Sequence, residues 1–273
     1  MSILEIPVMR GFVRLCNDGW HQGWHERNGG NLTYRLKESE VESLKKYLLP
    51  ARGWVNMGVQ AKNLAYERFI TTGSGKFFRN IEQSAAENIG IVEINATGDS
   101  WRTVWGLEAG AVPTSEFPSH FMNHSIRKIA TGGLNRVIYH AHTPNLIALT
   151  YILPLESREF TRALWQSATE CPVVFPEGVG VVPWMVPGGA DIAKATSEIM
   201  KSYPAAVWAH HGLFCSGKDF DETFGLMHTI EEAANIHLKV LSSGRPILQT
   251  ITSDNLRQIA KAFNVKLNEA FLD

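Results

Sequence analysis

Arg136-Val-Ile-Tyr-His140-Ala-His142 is a run of strand-forming residues that leads directly into two histidines, two positions apart. Side chains alternate between the faces of a strand, so His140 and His142 should point to the same face. Their Cα atoms would lie roughly 6.5–7 Å apart, which lets both imidazoles reach one metal ion. A histidine in an apolar run is more often a hydrogen-bonded core residue than a ligand, so the pair alone leaves both interpretations open.

A second apolar run ends in histidine in the same way. Ala205-Ala-Val-Trp-Ala-His210-His211-Gly212 has the pattern of a short buried strand that stops at a glycine. We predict that these two strand ends meet over a divalent metal, with zinc favoured by a set of histidine ligands. Alternation alone cannot choose between His210 and His211 as the third ligand.

The composition narrows the possible functions. Of the 273 residues, 44% are hydrophobic and 19% are charged, which is typical of a globular protein with a sizeable core. The net charge of -1 and the absence of a dense Lys/Arg cluster argue against a nucleic-acid partner. No apolar run reaches the roughly 18 residues of a membrane helix, and the N-terminus does not resemble a secretory signal. Three widely spaced cysteines without a C-x-x-C motif indicate a reducing compartment, so we expect a cytoplasmic protein.

Short strand patterns alternate with helical patterns along the chain. A helix is predicted over residues 8–26, and a strand from Cys171 to Phe175. We predict one α/β domain over residues 1–273, with three α/β/α layers and a mixed, mainly antiparallel central sheet covered by helices. Residues 37–66 are charge-rich and contain Pro50 and Gly53, so we predict that they form a peripheral insertion.

Two carboxylates could take part in chemistry. Glu116 falls in the first turn of a helix that begins at Pro113-Thr114-Ser115, where a hydroxyl should cap the helix and the dipole should favour the ionised carboxylate. Near a metal such a group can be a base or a ligand, although simple charge complementarity at the helix start is the more common role. Glu170 precedes the predicted strand at Cys171, where a solvated surface position is the usual outcome.

Two glycine-containing loops could bind an anion. Asn28-Gly-Gly-Asn31 and Gly73-Ser74-Gly75-Lys76 both combine glycines with side chains that donate hydrogen bonds. Neither is a nucleotide motif, because the chain has no Walker A loop and no G-x-G-x-x-G after a strand. Each loop alone is compatible with an ordinary turn.

With these residues laid out, the chain resembles the zinc-dependent class II aldolase and adducin family over nearly its whole length. The order and spacing of the matching segments make the resemblance specific. They are Gly23-Trp-His-Glu-Arg-Asn-Gly-Gly-Asn-Leu-Thr33, Thr72-Gly-Ser-Gly-Lys-Phe-Phe-Arg-Asn80, Ala111-Val-Pro-Thr-Ser-Glu116, His140-Ala-His142, Asn145-Leu-Ile-Ala-Leu-Thr-Tyr151, Val174-Phe-Pro-Glu-Gly-Val-Gly180, Pro183-Trp-Met-Val-Pro-Gly188, His211-Gly212 and Asp221-Glu-Thr-Phe-Gly-Leu226. The region 37–66 carries the least resemblance, as expected for an insertion.

The resemblance implies roles for individual residues. His140, His142 and His211 match the family's ligands for one Zn²⁺ per subunit, with the histidine before glycine as the third. Glu116 matches the catalytic carboxylate that acts as base, and Glu170 matches one that reaches a neighbouring subunit's site in a fourfold-symmetric homotetramer. The substrate's phosphate would be bound by a set of loop residues, which are Asn28, Asn31, Ser74, Gly75, Thr114 and Ser115.

The implied activity is reversible aldol cleavage of a sugar phosphate, L-rhamnulose 1-phosphate, to dihydroxyacetone phosphate and L-lactaldehyde. Zinc would stabilise the enediolate as a Lewis acid while Glu116 moves the proton. Two alternatives stay open: another family enzyme, namely an L-fuculose-phosphate aldolase or a pentulose-phosphate 4-epimerase, or a non-catalytic adducin-like interaction module. The presence of all three histidines and Glu116 argues against the last of these.

Overall fold

A nine-stranded sheet runs through residues 2–272, the part of the chain that the computed structural model describes. Its strands lie in the spatial order β2-β5-β4-β3-β1-β6-β9-β8-β7, and all neighbours are antiparallel except the parallel pair β7 and β8. In chain order they are β1 (Asn31–Arg35), β2 (Val55–Asn56), β3 (Arg68–Thr72), β4 (Ile89–Ile94), β5 (Ser100–Gly106), β6 (Val137–Ala141), β7 (Gly180–Val182), β8 (Ala205–Trp208) and β9 (Gly212–Gly217).

Helices cover both faces of this sheet. In chain order they are α1 (Pro7–His21), α2 (Glu38–Leu44), α3 (Ala85–Asn88), α4 (Phe117–Ala130), α5 (Pro144–Leu149), α6 (Ser157–Trp165), α7 (Cys171–Val174), α8 (Ala190–Ile199), α9 (Phe220–Ser242) and α10 (Ser253–Phe263). None of these helices is both long and apolar enough to cross a membrane.

Strand β6 shows why the sheet needs two helical layers. Val137 and Tyr139 belong to the large core cluster that includes residues of α1, α5, α6 and α9. Ile138, between them, joins a second cluster with Ile192 of α8. Because both faces of β6 are apolar, each must be covered, and burial of each large side chain contributes roughly 1.5–3 kcal/mol. The predicted three-layer fold with a mixed, mainly antiparallel sheet is confirmed.

The strand predicted from Cys171 to Phe175 is wrong, since these residues form the short helix α7 and its end. The N–H of Val174 donates to the carbonyl of Glu170 at 3.0 Å, and that of Phe175 to the carbonyl of Cys171 at 3.0 Å. Pro172 explains the difference, because proline is tolerated in a first helical turn but cannot donate to an inner strand. Glu170 therefore caps a helix instead of preceding a strand.

One element boundary also differs from the sequence prediction. The first helix ends at His21 instead of residue 26, and Gly23 turns the chain with a φ of +79°. Residues 37–66 contain α2 and the edge strand β2, whose Val55 pairs with Trp101 of β5. The single domain over 1–273 and the insertion at 37–66 stay predictions.

Candidate metal centre and its carboxylate

Three histidines from two parts of the sheet lie close together. His140 is on β6, His142 follows one residue after the end of β6, and His211 lies in the turn between β8 and β9. Each offers one ring nitrogen, and these nitrogens lie within 4.8 Å of one another. This spacing is compatible with one shared tetrahedral ion, for which zinc–nitrogen bonds are about 2.0–2.1 Å.

The surroundings of His140 leave one of its nitrogens available. Its Nδ1–H donates to the carbonyl of Leu213 at 3.1 Å, so Nε2 carries the lone pair. This Nε2 is buried and has no hydrogen-bond partner within residues 2–272. A buried polar atom without a partner costs about 1–3 kcal/mol. A metal ion would satisfy it, and the donor set therefore fits zinc.

His142 is oriented by a carboxylate from a distant loop. Its Nδ1–H donates to Glu26 Oε1 at 2.6 Å, which again leaves Nε2 free. A carboxylate behind a ligating histidine is the usual support in zinc sites. The backbone packs closely here, because a Cβ at Gly29 would lie 2.8 Å from His142 Nδ1.

The turn before β9 decides which of two adjacent histidines joins the cluster. His210 adopts a left-handed conformation with φ +60°, and its N–H donates to Thr150 Oγ1 at 3.0 Å. Its Nδ1 also bonds to Thr150 Oγ1 at 3.0 Å, so its ring is held by α5's end. His211 is consequently the residue that lies beside His140 and His142, with ring centroids 5.0 and 4.9 Å away.

Burial keeps His140 and His211 neutral. The pKa of His140 lies well below its ordinary value because of desolvation, with a further contribution from the nearby His211 and His142. Desolvation lowers the pKa of His211 to about 4, with a smaller contribution from the nearby His142. Both rings are therefore unprotonated at neutral pH, which is the state that a metal ligand requires.

Glu116 lies beside this cluster, with its Oε2 3.8 Å from His140 Nε2. Glu116 is the N-cap residue of α4, which starts at Phe117 and has no side-chain cap. The sequence prediction of a hydroxyl cap, with Glu116 in the first turn, is therefore wrong. The N–H of Glu116 instead donates to Thr114 Oγ1 at 3.3 Å. Burial raises the pKa of Glu116, and a hydrogen bond from Asn31 Nδ2 to Oε2 at 2.8 Å opposes this rise.

The two predicted anion loops lie near the same edge. Gly73 and Pro113 form an isolated antiparallel bridge, so the Ser74 turn runs beside the Thr114 segment. The N–H of Thr114 donates to the carbonyl of Thr72 at 2.9 Å, and β3 pairs with β1, which begins at Asn31. Gly75, with φ +68°, makes the turn that leaves this loop exposed.

Two predicted site residues stand apart from these contacts. Asn28 and Glu170 are both exposed. In the described chain, no hydrogen bond or ion pair links Glu170 to the three histidines. The role of Glu170 that the resemblance implies stays a prediction.

Sequence reasoning missed the residues that support the site. Glu26 is 116 residues from His142, and Thr150 is 60 residues from His210, so no local pattern joins either pair. His120 was also missed, although the i, i+4 spacing of His120 and His124 on a predicted helix could have drawn attention to it.

The sequence of this chain is similar to those of known proteins. A model of the class II aldolase and adducin N-terminal domain matches residues 10–238. A rhamnulose-1-phosphate aldolase from Klebsiella pneumoniae is 46% identical over 272 residues, covering 100% of this chain and 98% of the relative. One from Yersinia pestis is 44% identical, covering 100% of this chain and 99% of the relative.

Solved structures show the same fold. A sugar-phosphate aldolase from Thermotoga maritima matches with a TM-score of 0.73 and 25% identity, covering 87% of this chain and 96% of that one. An L-fuculose 1-phosphate aldolase matches with a TM-score of 0.60 and 19% identity, covering 94% and 96%. Because its identity is only 19%, the second match shows the fold alone.

Proposed function

This chain belongs to the class II aldolase and adducin family, and we propose on that premise that it cleaves L-rhamnulose 1-phosphate reversibly to dihydroxyacetone phosphate and L-lactaldehyde. The choice of substrate rests on one observation, which is that the whole chain is 44–46% identical to rhamnulose-1-phosphate aldolases. The chemistry of the site agrees. Breaking a carbon–carbon bond next to a ketone needs a group that stabilises negative charge and a group that moves a proton.

His140, His142 and His211 would hold one Zn²⁺ per subunit. The partnerless Nε2 of His140 and the carboxylate behind His142 support this assignment. The bound ion would supply Lewis-acid stabilisation for the negative charge that develops on the ketone fragment. The three neutral imidazoles leave the ion's positive charge intact, which strengthens that effect.

Glu116 would move the proton. Cleavage releases the proton of the hydroxyl group on the carbon that becomes the aldehyde and leaves the ketone fragment one proton short at carbon, and the reverse direction reverses both transfers. Glu116 is buried beside the histidine cluster, and burial raises its pKa above the ordinary value, which makes its carboxylate a stronger base than an exposed one.

The phosphate would be bound by the loops at the same edge, where four of the proposed residues are exposed and two, Asn31 and Thr114, are buried. Support comes from the bridge between Gly73 and Pro113, which joins two of the three loop segments. Backbone N–H groups and side-chain donors at these positions would anchor the substrate away from the reacting bond and so orient it. The proposed set is Asn28, Asn31, Ser74, Gly75, Thr114 and Ser115.

Assembly and location are part of the proposal. The exposed Glu170 would reach the site of a neighbouring subunit in a homotetramer, which would bring the active sites close to subunit interfaces. Cys16, Cys171 and Cys215 are free and buried, which supports a reducing, cytoplasmic location. Size-exclusion chromatography with light scattering tests the tetramer.

A substrate panel with metal removal tests the function. The chelated protein should lose cleavage of L-rhamnulose 1-phosphate and regain it with zinc, and His142→Ala should lose bound zinc by metal analysis. Full activity without zinc would refute the metal's role. Preference for L-fuculose 1-phosphate, or epimerisation of a pentulose phosphate, would favour the sister enzymes, although the relatives' identities do not favour them.

A further inference from the structure

A chain of buried polar side chains lies directly behind Glu116. Asn31 Nδ2 donates to Glu116 Oε2 at 2.8 Å, and Asn31 Oδ1 is hydrogen-bonded to His120 Nε2. His120 Nδ1 lies 2.8 Å from Thr33 Oγ1, which also lies 2.8 Å from His124 Nε2. His120, His124 and Thr33 are at most 1% exposed.

The chemistry of each group fixes the direction of every bond. An ionised carboxylate only accepts, so the Asn31 amide nitrogen faces Glu116 and its oxygen faces His120. His120 must then carry its hydrogen on Nε2. Burial lowers the pKa of His120 to about 3, so the ring has one N–H and its Nδ1 accepts from the Thr33 hydroxyl. Thr33 Oγ1 in turn accepts from Nε2–H of His124.

Two rigid elements hold this arrangement. Asn31 and Thr33 lie two positions apart on β1 and share one face of the sheet. Glu116, His120 and His124 are spaced four residues apart along α4 and its cap, so they share one stripe of the helix. Every donor in the chain points toward Glu116, and hydrogen bonds aligned in this way polarise and strengthen one another.

We propose that Asn31, His120, Thr33 and His124 are positioning residues that hold the Glu116 carboxylate in its orientation beside the histidine cluster. This inference rests on the proton-moving role proposed for Glu116. Burying four polar side chains is costly unless each is satisfied, and apolar residues would fill the same space at no such cost. Orientation of the carboxylate is the benefit. The second N–H of Asn31 Nδ2 remains available to the phosphate in the proposed site.

Thr33 is the most informative residue to substitute, because the side chains of His120 and Asn31 separate it from Glu116. Thr33→Val keeps the shape and removes the hydroxyl, whereas Thr33→Ser keeps the hydroxyl. In the zinc-loaded enzyme, Thr33→Val should lower kcat about tenfold, in line with other losses of supporting hydrogen bonds, while KM and zinc content stay close to wild type. Thr33→Ser should retain most of the turnover.

A matched control separates positioning from stability. Thr161 is equally buried, and its hydroxyl accepts the N–H of Val179 at 3.0 Å and takes no part in the chain behind Glu116. Thr161→Val removes a buried hydroxyl and should therefore lower the melting temperature, but kcat should stay unchanged. Equal kcat in Thr33→Val and Thr33→Ser would overturn the proposal, because the hydroxyl would then have no part in turnover.

Nitrogen-15 NMR of the histidine rings gives a readout that does not depend on activity. His120 and His124 should both be neutral and carry hydrogen on Nε2, and Thr33→Val should perturb both. The Nδ1–H tautomer at His120 would overturn the chain. In a Glu116→Gln background, Thr33→Val should cost no further turnover. Near-normal turnover of Glu116→Gln itself would refute the proposed function instead, which keeps the two failures distinct.

Discussion

Lowering the pH from 7 to 5 should destabilise the metal-free protein through its buried neutral histidines. Desolvation lowers the pKa of both His25 and His120 to about 3. His25 is held between the Tyr139 hydroxyl at 2.7 Å and the carbonyl of Gly29 at 2.9 Å, so these two partners satisfy both nitrogens of a neutral ring. An unfolded histidine titrates near pH 6.5.

The sign and size of the effect follow from proton linkage. Both folded-state pKa values are depressed, so the stability that these histidines contribute is present above pH 6.5. It is lost as the pH falls from 6.5 toward 3, because the unfolded chain binds protons that the folded chain cannot. Between pH 7 and pH 5 each ring costs about 2 kcal/mol, or about 4 kcal/mol for His25 and His120 together. The depressed pKa values of His140 and His211 act in the same direction.

Urea denaturation of chelated protein at the two pH values measures this loss. His25→Phe keeps an aromatic ring stacked on Phe78 and should reduce the loss by about 2 kcal/mol. His21→Gln is the matched control, since His21 is exposed on α1, and it should leave the loss as in the wild type. A total loss below about 2 kcal/mol, or an unchanged loss in His25→Phe, would refute the reasoning.

Substitutions at three positions test the site itself. Glu116→Gln should stay folded and zinc-loaded while kcat falls about 10²–10⁴-fold, measured by steady-state cleavage, and near-normal turnover would remove Glu116 from the mechanism. Glu26→Ala should weaken zinc binding about tenfold in a competition titration, whereas Glu26→Gln, which still accepts from His142, should keep most of the affinity. Thr150→Val should also weaken zinc binding, because the turn that carries His211 loses the acceptor for the N–H of His210. Thr150→Ser keeps that acceptor and should bind zinc as the wild type does. Equal zinc affinities in the two variants would contradict this account.

Local sequence was informative where one short stretch carries the whole signal. The run Val137–Ala141 predicts a strand from its residues alone, and the structure has β6 there. Short strand patterns of this kind, which alternate with helical patterns along the chain, were enough to predict the three-layer architecture. Local signals failed at Cys171–Val174, where β-branched residues favoured a strand but Pro172 is better accommodated in the first turn of a helix.

The sequence by itself determined the layers, the family resemblance and the histidine pair. Only the tertiary structure decided that His210 faces Thr150, that Glu26 supports His142, and that a polar chain from Thr33 ends at Glu116. The reason is physical. Backbone preference and side-chain period act over a few residues, whereas these contacts join segments brought together by the order of strands in the sheet. His140 and His142 can be recognised from one short stretch of sequence, whereas the residues that surround them are determined by the fold.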